Sequence, residues 1–344
     1  MEGGRVADEP VFVAVVGFGY WGPNLVRNFA RNPRARVTWI CDLDPGRRRA
    51  AERDFPQARA SASVDDMLRD AQVELVVIAT PISTHFDLAR RALEAGKHVL
   101  VEKPLTAEVA QAEALVDLAR RVDRRLFVDH TYLFTPEVRY LRDLVARGDL
   151  GQLLYFDGVR INLGLFQTDH DVVWDLAPHD LSILLALAGR PPRSVVCVGS
   201  SHTASGLTDV AMLHLDFGDQ LTANVHVNWL SPVKVRHVIV AGTRRMVLYN
   251  DLEATEKVRL YDRGIEVTDA DAQRRAAVGY RLGDVLIPHI PAREALAVEV
   301  EEVVACLRDG ATPTSPGELG VEVVRVLEAL GRSLERRGER IDLD

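Results

Sequence analysis

Residues 11–16 (VFVAVV) are apolar without a break, the pattern of a strand covered on both faces of a parallel sheet. A glycine-rich turn follows, Gly17-Phe18-Gly19-Tyr20-Trp21-Gly22, and then a helical stretch from Pro23 to Ala30. Short apolar runs recur at Arg36–Cys41, Leu75–Ala79, His98–Val101 and Arg125–Val128, with helical patterns between them, the last from Ala107 to Arg121. Strands alternating with helices of about 10–15 residues predict repeated βαβ units and a parallel, doubly wound sheet over residues 1–128.

Beyond about residue 150 the rhythm changes. Leu153–Ile161 alternates, a helix is expected from Trp174 to Gly189, and short strands follow at Val195–Val198, Val210–Phe217, Gln220–Leu230, Val235–Val240, Met246–Tyr249 and Val258–Tyr261. Gly218-Asp219 and Ala241-Gly242-Thr243 are placed as turns between strand pairs. Residues 129–344 are therefore expected to form an α+β domain with an open, mainly antiparallel sheet. Helices over 292–309 and 317–336 end it and can pack back on the first domain. On Leu221–Leu230 (LTANVHVNWL) apolar side chains are expected on both faces of the strand, which predicts a homodimer or homotetramer built on that sheet.

Length and composition narrow the function. A chain of 344 residues suits two domains, and 47% hydrophobic with 27% charged residues is ordinary for a globular protein. With 42 basic and 50 acidic residues the net charge is −8, which argues against nucleic acid as a partner. No apolar run approaches the roughly 18 residues of a membrane span, so no membrane partner is expected. Residues 1–10 (MEGGRVADEP) do not read as a secretory signal. Cys41, Cys197 and Cys306 are isolated in apolar surroundings, as reduced, buried thiols would be, and a cytoplasmic location is expected.

The chemistry begins at the glycine turn. Gly17, Gly19 and Gly22 close an apolar strand and open a helix, so backbone N–H groups and the helix dipole can face a pyrophosphate. Asp42, 25 residues after Gly17, ends the second strand, where its carboxylate would accept from ribose hydroxyls and repel a 2′-phosphate. The expected cofactor is therefore NAD rather than NADP. Asp44, before Pro45, reads as a helix N-cap, and Arg47 is expected in the helix that follows. Thr80-Pro81 and Glu102-Lys103-Pro104 end strands at the edge where open α/β sheets bind ligands. Asp175 and His179 share one helix face, although on the residues alone Asp175 serves equally as an N-cap and His179 as an ordinary helix residue. Pro178 between them is expected in the first turn. Asp169-His170-Asp171 has metal-binding residue types, but adjacent side chains diverge and no further ligand set accompanies them, so no metal is expected.

The segment 79–104, ATPISTHFDLARRALEAGKHVLVEKP, closely resembles the glucose-fructose oxidoreductase / inositol dehydrogenase / rhizopine-catabolism (Gfo/Idh/MocA) family. Ala-Thr-Pro-x-x-x-His, Gly-Lys-His-Val and Glu-Lys-Pro follow in that order, and Arg147-Gly148-Asp149-Leu150-Gly151 and Asp175-x-x-x-His179 extend the resemblance along nearly the whole chain. The expected cofactor site comprises Gly17, Gly19, Tyr20, Trp21, Gly22, Asp42, Thr80, Pro81, His85, Glu102, Lys103 and His130; the resemblance puts Thr80, Pro81 and His85 beside the cofactor, and His130, ending the last Rossmann strand, is a cofactor or substrate contact. The resemblance also implies a catalytic set, with Lys103 hydrogen-bonding the reacting hydroxyl, His179 as general base and Asp175 orienting substrate. The family often holds the Lys-Pro peptide cis. Arg160, Asn162 and Trp174, with the catalytic set, are the candidate substrate contacts. His85 on a helix face, Asn162 in a turn and Trp174 in a core remain alternatives.

The run Asn162-Leu163-Gly164 followed by Val173–Asp180 looks most like the family's nucleotide-sugar 3-dehydrogenases, which implies a UDP-N-acetylhexosamine or its uronate as substrate. A 3-keto-deoxysugar reductase and an inositol or free-sugar dehydrogenase share the same catalytic set. A non-enzymatic dinucleotide sensor would need none of Lys103, Asp175 and His179.

Overall fold

The computed structural model describes residues 9–164, 170–266 and 279–343. Two compact units emerge, residues 1–135 with 293–325 and residues 136–292 with 326–344. The first holds a six-stranded parallel sheet: β1 (Val11–Val16), β2 (Ala35–Cys41), β3 (Arg59–Ser61), β4 (Leu75–Ile78), β5 (His98–Glu102) and β6 (Leu126–Asp129). Their order is β3-β2-β1-β4-β5-β6, so the sheet reverses direction between β1 and β4, as in a Rossmann fold. β1 and β4 are buried almost throughout, which explains their unbroken apolar runs. The crossovers carry α1 (Gly22–Arg31), α2 (Pro45–Asp54), α3 (Val64–Arg69), α4 (His85–Glu94) and α5 (Val109–Arg121). Asp44 caps α2, accepting from the backbone N–H of Gly46 and Arg47. β3 and α3 escaped the sequence reading because three residues of strand and six of helix are too short to show a period.

The second unit is built on a nine-stranded sheet. Helix α6 (Pro136–Ala146) precedes β7 (Leu153–Leu163), and α7 (Val172–Ala188) follows it. Then come β8 (Ser194–Ser200), β9 (Val210–Gly218), β10 (Leu221–Asn228), β11 (Leu230–Gly242), β12 (Met246–Asn250), β13 (Val258–Glu266) and β14 (Gly279–Leu286). With β15 (Ile341–Asp342) the order is β14-β13-β12-β11-β7-β10-β9-β8-β15. Pairing is antiparallel except between β7 and β10, so the sheet is mixed. α7 packs on β7, β9 and β10.

Two expectations change here. Asp171, not Asp175, caps α7, accepting from Val173 and Trp174 N–H, so the helix starts earlier and Pro178 lies inside it. Pro178 has no N–H to give the Trp174 carbonyl one turn back. The second concerns β10. Leu221, Ala223, Val225 and Val227 are buried, whereas Thr222, Asn224, His226 and Asn228 alternate with them as a polar row. Its outer face is therefore polar, with Asn224 bonded to His214 on β9 and Asp157 on β7. Exposed large apolar side chains lie elsewhere in this unit, including Met212 and, on β14, Tyr280, Leu282, Val285 and Leu286.

Helix α8 (Ala295–Arg308) joins the core of the first unit through Leu296, Val300, Val303 and Val304, and Arg308 clamps Glu74 at 2.6 Å. Helix α9 (Gly317–Glu335) is divided between the units. All three cysteines are free and buried, and burial pushes the thiols of Cys41 and Cys197 up to about 12.

Arg160 on β7 and Asp180 on α7 form a two-pronged ion pair at 2.8 and 3.1 Å, with side chains 4% and 1% exposed. Removing one partner leaves a buried charge uncompensated. Asp180→Ala is expected to destabilise the protein by about 3–5 kcal/mol, and Arg160→Met with Asp180→Leu to restore much of the loss, as measured by denaturant unfolding.

Candidate active site

The glycine turn is a cradle of backbone. Gly17 has φ of 96°, and a Cβ there would strike the carbonyl of Ala79 beyond β4. A Cβ on Gly22 would strike the carbonyl of Gly17. Gly17 N–H donates to the Cys41 carbonyl at 2.8 Å, which brings the turn to the end of β2. There Asp42 Oδ2 accepts from Phe18 N–H at 2.7 Å and Oδ1 from Asp44 N–H at 2.8 Å. Trp21, at the N-cap of α1, makes no side-chain cap bond to the helix. Beside this turn lies a cavity of about 600 Å³, lined by Gly17, Gly19, Asp42, Arg47, Thr80 and Pro81 among others. A polarised helix end, two glycines with no room for a side chain and an acid at the strand end fit the pyrophosphate and ribose of a dinucleotide.

Arg47 adds a cation to this cavity. It lies in α2 as expected, yet its guanidinium comes within 3.6 Å of Asp42 Oδ2 and lines the same cavity. Its place three residues after the cap Asp44, in the first turn of the helix, was the available signal.

The other expected cofactor residues divide. Tyr20 is 86% exposed and stacks on Trp21. Trp21 turns inward, and its Nε1–H donates to Asp129 Oδ2 at 3.0 Å. His85 is buried: Nε2 lies 2.8 Å from the Thr80 carbonyl and Nδ1 3.0 Å from the Pro104 carbonyl. It ties the loops after β4 and β5 together from behind and is not a lining residue of the cavity, and its burial lowers its pKa. His130 is also buried, with Nδ1 2.9 Å from Ser315 Oγ, and desolvation pushes it down to about 4, so the ring is neutral. Lys103 follows Glu102 at the end of β5, partly exposed, and the Lys103–Pro104 peptide is cis.

In the second unit α7 carries Trp174, Asp175 and His179, all partly exposed. Asp175 Oδ2 accepts from Nε1–H of Trp229 at 3.0 Å. Trp229 is buried, and nothing in the sequence links it to position 175, because the two lie 54 residues apart. Asn162 is partly exposed near the end of β7. Arg160 departs from expectation. Its guanidinium is engaged by Asp180 inside the unit and does not present itself for a substrate oxygen. Asp169 lies outside the described residues, and among those described no group of three acidic, histidine or cysteine side chains could hold a metal.

Residues 11–130 match the oxidoreductase family with an NAD-binding Rossmann fold, and residues 138–248 match the GFO/IDH/MocA C-terminal domain. The chain belongs to the Gfo/Idh/MocA oxidoreductase family. A UDP-N-acetylglucosamine 3-dehydrogenase of Acidithiobacillus ferrooxidans is 30% identical over 294 residues, 84% of this chain and 86% of that protein. An inositol 2-dehydrogenase of Leifsonia xyli subsp. xyli is 37% identical over 187 residues, 53% of this chain and 55% of the relative. Among solved structures, GenD2 from gentamicin A biosynthesis, in complex with NAD, has a TM-score of 0.82 at 25% identity, covering 99% of this chain and 98% of its own. This Gfo/Idh/MocA protein is thus an NAD-dependent dehydrogenase acting on CH–OH groups.

Asp42 would meet a 2′-phosphate with like charge, and Arg47 only partly offsets it. NAD is expected to bind at least about tenfold more tightly than NADP in a fluorescence titration, and tighter NADP binding would overturn the role given to Asp42. Gly22→Ala, forcing the turn off α1, should weaken NAD binding in the same titration.

Proposed function

We propose that this enzyme oxidises the 3-hydroxyl of a nucleotide-activated hexose, with UDP-N-acetylglucosamine or its 6-carboxylate as the first candidates. One observation carries the reading. Likeness to the UDP-N-acetylglucosamine 3-dehydrogenase runs through 84% of the chain, and a structure of that enzyme has a TM-score of 0.79 over 95% of it. The inositol 2-dehydrogenase is more similar where it matches but matches only 53%. That higher identity is what favours the second reading, an inositol or free-sugar dehydrogenase. Reduction of a 3-keto deoxysugar would use the same residues in reverse.

Bound NAD supplies the hydride acceptor at C4 of its nicotinamide. Lys103 at the end of β5 hydrogen-bonds the reacting hydroxyl and stabilises the developing alkoxide. His179 accepts the hydroxyl proton, and Asp175, one turn before it on α7, orients substrate and favours the imidazolium. Trp229 holds Asp175 by its Oδ2. Arg160, paired with Asp180, and the Gly164 N–H, donating to the Trp229 carbonyl, do not serve as diphosphate donors in this reading.

Lys103→Ala and His179→Ala are each expected to lower kcat by roughly 10²–10⁴ while NAD affinity survives. Near-normal turnover in either variant would refute the proton path. In a substrate panel read at the NADH absorbance, faster reaction with myo-inositol or free glucose than with any UDP- or dTDP-sugar would replace the first reading by the second. We further propose a homodimer or homotetramer, supported by the exposed apolar side chains of β14 and Met212 rather than by β10. Light scattering at micromolar concentration should show it, and a monomer would refute it.

A further inference from the structure

Three carboxyl groups meet inside the first unit. Asp129 ends β6 and is buried; Oδ2 accepts from Trp21 Nε1–H at 3.0 Å and Oδ1 from Thr131 Oγ–H at 2.5 Å. Glu299, on α8, is 1% exposed, and as a carboxylate neither of its oxygens has a hydrogen-bond donor. Oε1 of Glu102, at the end of β5, is buried in the same condition. Both glutamates come within hydrogen-bonding reach of Asp129. Among the described residues, charged and titratable groups that bear on them include Lys103 after β5, His130 after β6 and Glu302 on α8 itself. On α1, Arg27 is committed to Glu294. A carboxylate can only accept, so two carboxyl groups side by side bond only when one keeps its proton.

We propose that Glu299 is a positioning residue for the cofactor turn: it stays a neutral acid at physiological pH and donates its proton to Asp129, fixing the carboxylate that holds the Trp21 indole. Its O–H bond is not broken in the reaction. Trp21 directly precedes α1 and lies in the turn read above as the pyrophosphate cradle, so Glu299, nearly three hundred residues away in sequence, acts on that cradle through Asp129. Burial, then the charge of Asp129, push Glu299 well above the ordinary carboxyl range. Glu102 is driven the same way by the same causes. An ionised Glu299 would set a second negative charge against Asp129 in a dry interior, which costs far more than the proton does.

Glu299→Gln keeps a donor for Asp129 and cannot ionise; Glu299→Leu removes it. Infrared difference spectroscopy of the folded protein at neutral pH should show the carbonyl absorption of a neutral carboxylic acid, and Glu299→Gln should remove one component of it. NAD affinity should stay near the wild-type value in Glu299→Gln and fall by about tenfold in Glu299→Leu, the loss of one hydrogen bond to a charged acceptor. The pH dependence has a fixed sign. A folded-state pKa above the unfolded one means the folded protein binds the extra proton, so wild type must lose stability relative to Glu299→Gln as pH rises above the ordinary carboxyl range. Absence of a neutral-acid component assignable to Glu299, or a stability difference that does not grow with pH, would overturn the proposal. So would Glu299→Leu binding NAD as wild type does. If Glu299→Leu fails to fold, the infrared and pH arms on Glu299→Gln still decide it. None of these readouts depends on the substrate, so failure of the nucleotide-sugar reading would leave them unchanged.

Discussion

The first unit depends on one close approach, the glycine turn lying backbone to backbone against the ends of β2 and β4. Gly17 and Gly22 leave no volume for a side chain, and two N–H groups of the turn are already given to the Cys41 carbonyl and the Asp42 carboxylate. β1 can then deliver the chain straight into α1. The topology makes this the natural place, because β2 and β4 flank β1 where the sheet order reverses and their ends open a crevice. The turn is rigid for a reason of volume, and the chemistry built on it inherits that rigidity.

The two units treat buried charge differently. In the second, a guanidinium and a carboxylate neutralise each other between β7 and α7, at the cost of desolvating both. In the first, the carboxylate of Glu299 has no hydrogen-bond donor, and a retained proton takes that place. A proton occupies no side-chain volume, which suits a position where α8 packs against the residues following β6. An arginine there would need room that the core around Leu296 and Val300 does not have.

What could be read in the sequence was whatever leaves a periodic or local trace. The long βαβ rhythm, the turn before α1, Asp42 and the cap at Asp44 are all of that kind, being set by residues within a few positions of one another. The start of α7 was misread because Asp171 and Asp175 are both competent caps, and only the bonds to Val173 and Trp174 separate them. The outer face of β10 was misjudged although its alternation is plain, since the buried set Leu221, Ala223, Val225 and Val227 already accounts for its apolar residues. Arg160 with Asp180, Trp229 with Asp175 and Glu299 with Asp129 were out of reach for another reason. Each joins positions 20 to 170 residues apart, and only the folded chain shows that a polar side chain is already engaged.

The bond from Phe18 N–H to Asp42 has an evolutionary corollary. The carboxylate that would select the cofactor is also the clasp that closes the glycine turn, so discrimination and architecture are vested in one side chain. A lineage adapting to a phosphorylated ribose could not simply discard the acid, because the same step would unfasten the turn. It would have to recruit a substitute clasp first, or enlist Arg47 as counter-charge and leave Asp42 in place. Of those routes the second takes fewer steps, and it places the burden of change on the first turn of α2.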